Sequence, residues 1–136
     1  AIEAAEQVSR NDCPLPFCFT SAAEAGWPEV TGGQLIERLV PSFLKRYLVA
    51  KRAVEAKLLE TQSLRPIIVR PSLIYSWDKP GSLPAVGTFT IANKLGLPFV
   101  DRPVTVTSLA TAMVRALGDE SVRGVLRYPQ IDELSS

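Results

Sequence analysis

The chain has 136 residues, of which 46% are hydrophobic, and 15 basic and 14 acidic residues leave a formal net charge of +1. This is enough for one domain with a buried core, whereas the balanced charge, without a basic run, argues against nucleic-acid binding. No apolar stretch reaches the roughly 18 residues that span a bilayer. The chain has no histidine, which excludes histidine-based acid–base catalysis by its own residues, and Cys13 and Cys18 lack the further ligands of a zinc site. We expect both thiols to be reduced and Cys18 to face the core.

Helix and strand signals alternate through the first half of the chain. The alanine-rich start, AIEAAEQVS, is typical of a helix whose beginning is cut off, and residues 17–20 predict a short apolar strand that ends at Ser21. The next stretch, GWPEVTGGQLIERLVPS, is rich in glycine and proline and predicts a loop with about one helical turn. Residues 43–62 then show a helical pattern. Its predicted apolar stripe consists of Ala50, Ala53, Val54, Leu58 and Leu59, with Lys45, Arg52, Glu55, Lys57 and Glu60 on the opposite side.

A second strand follows this helix. Ile67, Ile68 and Val69 form the unbroken β-branched run expected of a parallel strand buried on both faces, and the run stops before Pro71. Strand, helix and strand make a βαβ unit with a right-handed crossover, so we predict an α/β fold with a parallel sheet and flanking helices. Ligands of such sheets bind beyond the carboxyl ends of the strands. Ser21 and residues 72–75 should therefore lie at one edge.

The pentapeptide YLVAK places Tyr47 and Lys51 four positions apart in the predicted helix, on one face. A nearby ammonium favours phenolate over phenol, which suits a tyrosine for proton transfer at a carbonyl or alcohol. The alternative is ordinary packing plus a solvated charge. Tyr47 reaches the carboxyl edge of the sheet only if the preceding loop allows the helix to begin near that edge.

The order of Ser21, the YLVAK element and the RPSLIY segment resembles the second half of a short-chain dehydrogenase/reductase, particularly of the extended and atypical branches. RPVTVTSLATAMVRAL is similar to the late strand and helix of those proteins. Within the superfamily the likeness is to mitochondrial and plastid members, such as the dehydrogenase-like accessory subunit of respiratory complex I and coenzyme Q (ubiquinone)-associated proteins. The resemblance implies that residues 1–136 are the second half of a Rossmann-like NAD(P)-binding domain, with residues 77–103 as the variable substrate lobe.

The resemblance also implies roles for particular residues. Ser21 would polarise a substrate carbonyl, Tyr47 would donate or accept the proton, and Lys51 would lower the pKa of Tyr47 and hold the ribose hydroxyls. The implied cofactor-binding residues are Tyr47, Lys51, Pro71, Ser72 and Leu73, the last three beside the nicotinamide.

The chain departs from the family pattern at its glycines. Ser72 and Ser76 replace two glycines of the motif, and no glycine-rich phosphate turn is present, since Gly32 and Gly33 follow no apolar strand. NAD(P) binding is therefore expected only if the missing glycine-rich half is supplied, and we expect another chain or segment to complete the sheet.

The last third of the chain carries a weaker pattern. A helix is predicted near residues 86–95, and Trp77 and Phe89 either line an apolar pocket or simply pack, while Asp78 and Lys79 are surface charges. Val104 and Val106 predict a short strand. Thr107 or Ser108 would cap the next helix, Gly118 would close it, and residues 124–128 would form a strand before a polar tail. Tyr128 is expected to be a packing residue, and Arg65, Arg70 and Arg102 either surface charges or contacts to a phosphate or an anionic lipid.

Two functions follow. The absent phosphate turn and replaced glycines slightly favour an accessory, structural subunit of an organellar membrane complex, mitochondrial by the resemblance, with a plastid as the alternative. The retained Ser21, Tyr47 and Lys51 favour the second function, the catalytic half of an active NAD(P)-dependent oxidoreductase.

Overall fold

A computed structural model describes residues 1–9, 14–76, 90–91, 94–95 and 101–136. The helices are α1 (Ile2–Val8), a 3₁₀ helix (Ala23–Glu29), α2 (Gly33–Leu39), α3 (Ser42–Glu60), α4 (Val106–Gly118) and α5 (Tyr128–Ser135). The strands are β1 (Leu15–Thr20), β2 (Leu64–Val69), β3 (Ile74–Tyr75), β4 (Val104–Thr105) and β5 (Gly124–Leu126). Within these residues, no helix has both the length and the apolar character needed to cross a bilayer.

Three parallel strands form the main sheet in the order β1–β2–β5. β1 pairs with β2 along its whole length, from Leu15 opposite Leu64 to Thr20 opposite Val69, and Leu126 of β5 lies opposite Val69 on the other side. Because α3 connects two neighbouring parallel strands, the predicted βαβ unit is present. The chain is therefore an α/β protein with a small parallel sheet and flanking helices.

The sheet is covered on both faces, because successive side chains of β2 point in opposite directions. Ile67 and Val69 pack into a cluster with residues of α4 and α5, whereas Ile68 packs with Leu58 of α3. Cys18 also packs against the first cluster as a free thiol, and burial raises its pKa. This two-sided burial is why β2 lacks an alternation of apolar and polar residues.

α3 has the predicted position, and the prediction of its buried face is confirmed in part, since Leu58 is buried and Val54 packs beside it. Ala50, Ala53 and Leu59 are exposed, while Leu48 and Leu58 are fully buried. Glu55, which the pattern placed on the solvent side, is only 3% exposed. A carboxylate can occupy this position because it has a buried ionic partner, described below.

The predicted loop before α3 contains more helix than one turn. A 3₁₀ helix and α2 fill it, and the two adjacent glycines have different roles. Gly32 adopts the left-handed conformation (φ 82°) just before α2. Gly33 packs so tightly that a Cβ atom would lie 2.0 Å from the carbonyl oxygen of Trp27. These glycines allow the compact helical connection that the sequence pattern could not distinguish from a loop.

The start of α4 also differs from the prediction. Val106 belongs to the helix, not to the strand, and the N-cap is Thr105, whose hydroxyl accepts a hydrogen bond from the Ser108 backbone N–H at 3.0 Å. Neither Thr107 nor Ser108 is therefore the cap. The helix ends at Gly118 as predicted.

The end of the chain is more ordered than predicted. β5 ends at Leu126, and residues 128–135 form α5 instead of extending the strand into a polar tail. Ile131 is fully buried, and Pro129 lies in the first turn, where proline favours a helix start. Ile131, with Leu134 packed against the same core cluster, thus anchors an otherwise polar helix.

Most of the predicted substrate lobe lies outside the described residues. This applies to Trp77, Asp78, Lys79, Phe89 and most of the helix expected at 86–95, and also to Cys13. Thr90, Ile91 and Lys94, which belong to that segment and are described, are helical. The two-stranded parallel pair β3–β4 flanks the segment.

Candidate functional site

A cleft of about 550 Å³ lies at the carboxyl ends of β1 and β2. Residues after both strands contribute to it, together with the 3₁₀ helix, α2 and the first turns of α3. Its apolar walls include Trp27, Ile36, Leu44 and Ile74, and its polar groups come from Ser21, Glu24, Tyr47 and Ser72. An apolar cleft with a few convergent polar groups is the usual form of a small-molecule site.

Ser21 is fixed at the end of β1. Its backbone N–H donates to the Val69 carbonyl at 2.7 Å, which continues the pairing of β1 with β2 by one residue. The side chain lines the cleft, yet its Oγ is buried and has no partner of hydrogen-bonding geometry among the described residues. A buried hydroxyl without a partner is costly, so a ligand atom that pairs with it would be favoured.

Tyr47 lines the same cleft from α3. Because α3 begins at Ser42, its second turn lies level with the ends of the strands, and the ring of Tyr47 is 46% exposed. The loop before α3 thus lets the helix begin near the carboxyl edge of the sheet, and the Tyr47 ring lies beside that edge.

The ammonium of Lys51 lies at the end of β1. Its Nζ donates to the carbonyl oxygen of Thr20 at 2.7 Å, immediately before Ser21. The same Nζ lies 5.4 Å from the centroid of the Tyr47 ring and 4.8 Å from that of Phe19. Cation–π attraction and one hydrogen bond therefore hold Lys51 between the strand and the tyrosine. The structure brings Ser21, Tyr47 and Lys51 together around the end of β1.

The residues expected beside a nicotinamide divide into two groups. Pro71 and Ser72 line the cleft, and the Pro71 carbonyl accepts a hydrogen bond from the Ala23 N–H at 2.9 Å. Leu73 is not among the described cleft residues, and its carbonyl instead accepts from Val104 N–H at 2.9 Å. The segment after β2 therefore contributes to the cleft over its first two residues and then joins β3–β4.

A buried ion pair lies next to the cleft, and the sequence interpretation missed it. Arg70, directly after β2, donates from Nε to Glu55 Oε1 at 3.1 Å and from Nη2 to Glu55 Oε2 at 2.7 Å. Its Nη1 donates to Glu29 at 3.0 Å. One signal was available: Tyr47, Lys51 and Glu55 follow each other at intervals of four, so one face of α3 carries all three.

The pKa of the Glu55 carboxyl reflects opposing causes. Burial alone would raise the pKa, but the hydrogen bonds from Arg70, the nearby Ser21 hydroxyl and the positive charges of Arg70 and Arg52 lower it on balance. The hydrogen bonds that Arg70 donates to Glu55 likewise raise the pKa of Arg70. The Ser21 hydroxyl is thus close enough to act on the Glu55 carboxyl, although their geometry falls short of a regular hydrogen bond.

Glu24 contributes a carboxyl to the lining of the cleft. Burial raises the pKa of Glu24, a backbone hydrogen bond partly offsets this, and the charge of Asp101 raises it further. One carboxyl oxygen of Asp101 is buried without a partner among the described residues.

Two of the three arginines considered as anion contacts, Arg65 and Arg70, make structural contacts within the described residues. Arg65 is hydrogen-bonded to backbone carbonyls at the end of α4, and Arg70 is buried in its ion pairs. Arg102 lies 6.0 Å from the centroid of the Tyr128 ring. No group of three potential metal ligands occurs within the described residues.

No family model matches the chain, and no solved structure resembles it significantly. The chemistry of the cleft must therefore be inferred from its own residues. A buried hydroxyl, a half-exposed phenol and an ammonium beside it can together polarise an oxygen and exchange a proton with it.

Proposed function

We propose that the cleft is the substrate end of a Rossmann-like oxidoreductase of the short-chain dehydrogenase/reductase type, acting on a carbonyl or alcohol. One observation carries the proposal: Ser21 and Tyr47 line the same cleft, with the Lys51 ammonium 5.4 Å from the Tyr47 ring centroid.

Each residue has a role in this chemistry. The Ser21 hydroxyl donates a hydrogen bond to the substrate oxygen, and the Tyr47 phenol gives that oxygen its proton in reduction or removes it in oxidation. Lys51 holds its positive charge beside the phenol, which favours the phenolate that forms when the proton leaves. The apolar walls from Trp27 and Leu44 exclude water from the reacting group.

The residues fit the nicotinamide-ribose end of NAD(P), which supplies the hydride when bound. Lys51 uses one of its three N–H donors on the Thr20 carbonyl, which leaves others for ribose hydroxyls, and Pro71 and Ser72 line the cleft. The sequence has no glycine-rich turn for the pyrophosphate. That end of the cofactor therefore needs residues from another segment or chain.

The outer edge of β1 supports such completion. Among the described strands, β1 pairs only with β2. A further strand could therefore pair with the other edge of β1 before the Thr20 carbonyl, which already accepts a hydrogen bond from Lys51. Such a strand would lie beside β1, on the side away from β2, and would widen the sheet next to Ser21.

A second candidate is an accessory subunit of an organellar, mitochondrial membrane complex. The same open edge of β1 favours it, since a partner chain could supply the missing strand, and serines at positions 72 and 76 restrict close approach of a cofactor. In this case the fold would be retained for docking.

A substitution at Tyr47 tests the proposal. NAD(P)H oxidation by the protein, together with whatever chain completes its sheet, would be followed with a panel of aldehydes and ketones. We expect Tyr47→Phe to lower turnover by about 100-fold or more, because general acid catalysis contributes about that much. Tyr128→Phe is the matched control, since its hydroxyl donates to Asp132 at 3.4 Å and is not among the described residues of the cleft.

The outcomes separate the two candidates. Turnover that survives Tyr47→Phe would exclude the catalytic role. If neither the unaltered protein nor either variant turns over any substrate, and the protein co-purifies stably with a partner complex, the role of accessory subunit is supported instead.

A further inference from the structure

The corner between α2 and α3 exposes apolar side chains that the core does not use. Leu39 is 86% exposed, Phe43 72% and Leu35 64%. Ile36 and Leu44, which neighbour Leu35 and Phe43 along the same helices, line the cleft. The two helices therefore carry apolar side chains that line the cleft and others that lie on the outer surface. We call the exposed side chains of residues 33–49, Tyr47 excepted, the α2–α3 corner.

The charges around these residues are mainly positive. Arg38 and Arg46 are exposed, and Lys45 donates from Nζ to the Arg38 carbonyl at 2.9 Å, which joins α3 to the end of α2. The only carboxylate between residues 33 and 49, Glu37, is paired with Arg52. Its negative charge is thus neutralised within the protein, and the basic groups dominate the corner.

A shallow groove crosses the corner between the two helices. Gln34, Arg38, Lys45 and the 58%-exposed Val49 line it with Glu37, and its volume is about 300 Å³. Amide, guanidinium and ammonium donors around an apolar floor match a phosphate or carboxylate headgroup with acyl chains beside it.

We propose that the α2–α3 corner docks on an anionic lipid bilayer surface. Apolar side chains that enter the headgroup boundary, with arginine and lysine around them, are the features of interfacial helices. The charge decides between occupants, since a neutral protein surface would make no use of Arg38, Lys45 and Arg46. This proposal is independent of the catalytic one, because it uses the outer side of α2 and α3 and none of the residues assigned to the reaction.

Flotation with lipid vesicles tests the proposal. The protein would be mixed with vesicles of phosphatidylcholine alone or of phosphatidylcholine with phosphatidylserine, at low and high salt. We expect it to float with the anionic vesicles, weakly with the neutral ones, and less as salt screens the charges. This comparison needs no variant, so it remains decisive if a substitution harms folding.

Two variants and two controls then locate the surface. Leu39→Ser with Phe43→Ser should abolish flotation, and Arg38→Gln with Arg46→Gln should lower the affinity for anionic vesicles by about fivefold per charge removed. Val114→Ser and Arg123→Gln alter equally exposed positions elsewhere and should change nothing.

The proposal fails if the protein floats with neither vesicle, or if the corner variants float like the controls. It also fails if sedimentation without lipid shows that Leu39→Ser with Phe43→Ser dissociates a dimer or a protein complex while the unaltered protein does not float. The corner would then be a protein interface.

Discussion

The carboxylate of Glu55 and the guanidinium of Arg70 form a buried, two-point ion pair between the middle of α3 and the end of β2. Both residues are about as buried as the apolar core, with 3% and 5% exposure. The pair fixes the helix that carries Tyr47 and Lys51 against the strand that leads to Pro71. The cleft lies between the start of this helix and the residues that follow the strand.

Removal of one member of this pair should be strongly destabilising. Glu55→Met leaves the Arg70 guanidinium buried with only Glu29, and we expect a loss of about 3–5 kcal/mol in the free energy of unfolding. Urea denaturation measures it. The double variant, Glu55→Met with Arg70→Met, should recover much of the loss because no charge stays unpaired. Glu29→Gln is the matched control: its side chain is 56% exposed, so it should cost no more than about 1 kcal/mol. Equal effects of Glu55→Met and Glu29→Gln would contradict this account.

The ion pair should also make stability depend on acid pH. The pKa of Glu55 is lower in the folded protein than in the unfolded chain, so the unfolded state binds the proton more readily. The contribution is therefore complete above the ordinary carboxyl pKa of about 4.3 and is lost as the pH falls through the lower, folded value. Denaturation of the unaltered protein and of the double variant from neutral pH to strong acid should show the difference declining in that range. A difference that stays constant would refute the assignment.

The N-cap of α4 can be tested with two neighbouring threonines. Thr105→Ala removes the oxygen that accepts from the Ser108 N–H, and we expect it to cost about 1 kcal/mol of stability. Thr107→Ala, at an exposed position inside the helix, should be neutral or slightly stabilising because alanine favours helices. Thermal denaturation of both variants distinguishes the observed cap from the one expected from sequence, and the reverse order of stabilities would restore the latter.

Arg65 should stabilise the end of α4. Its guanidinium donates to the carbonyls of Ala116, Leu117, Asp119 and Val122, at distances from 2.6 to 3.0 Å. Arg65→Met should cost about 2 kcal/mol, since hydrogen bonds made by a charged group exceed the usual value. Arg65→Lys keeps the charge but not the forked donors. Chemical denaturation should therefore give it a stability between those of the unaltered protein and Arg65→Met. If it matched the unaltered protein, charge alone would explain the effect.

Local patterns in the sequence were sufficient to predict the parts of the fold that depend on residues close together along the chain. The β-branched run at residues 67–69 required burial on both faces, and the four-residue interval required Tyr47 and Lys51 to share a face of α3. The positions of Ser21, Tyr47 and Lys51 around the end of β1 follow from these two constraints once α3 begins at Ser42.

The parts that depend on distant partners could not be predicted in the same way. Glu55 is buried only because Arg70 lies 15 positions further along and meets it across the helix–strand contact. α2 forms because Gly33 can approach the Trp27 carbonyl, a contact that composition does not reveal. The sequence pattern placed the N-cap of α4 too late, at Thr107 or Ser108, because β4 ends at Thr105 and not at Val106.

The central position of β2 has a consequence for how molecules enter the cleft. Residues 67–69 of β2 are paired with strands on both sides, so their amides should exchange with solvent only through global unfolding, and Arg70 and Pro71 follow them directly. The facing wall consists of the 3₁₀ helix and α2, which have seven residues each. Such short segments open in local fluctuations far below the cost of global unfolding. We therefore expect a ligand to enter the cleft through local opening of the 3₁₀ helix and α2, while the wall that follows β2 stays rigid.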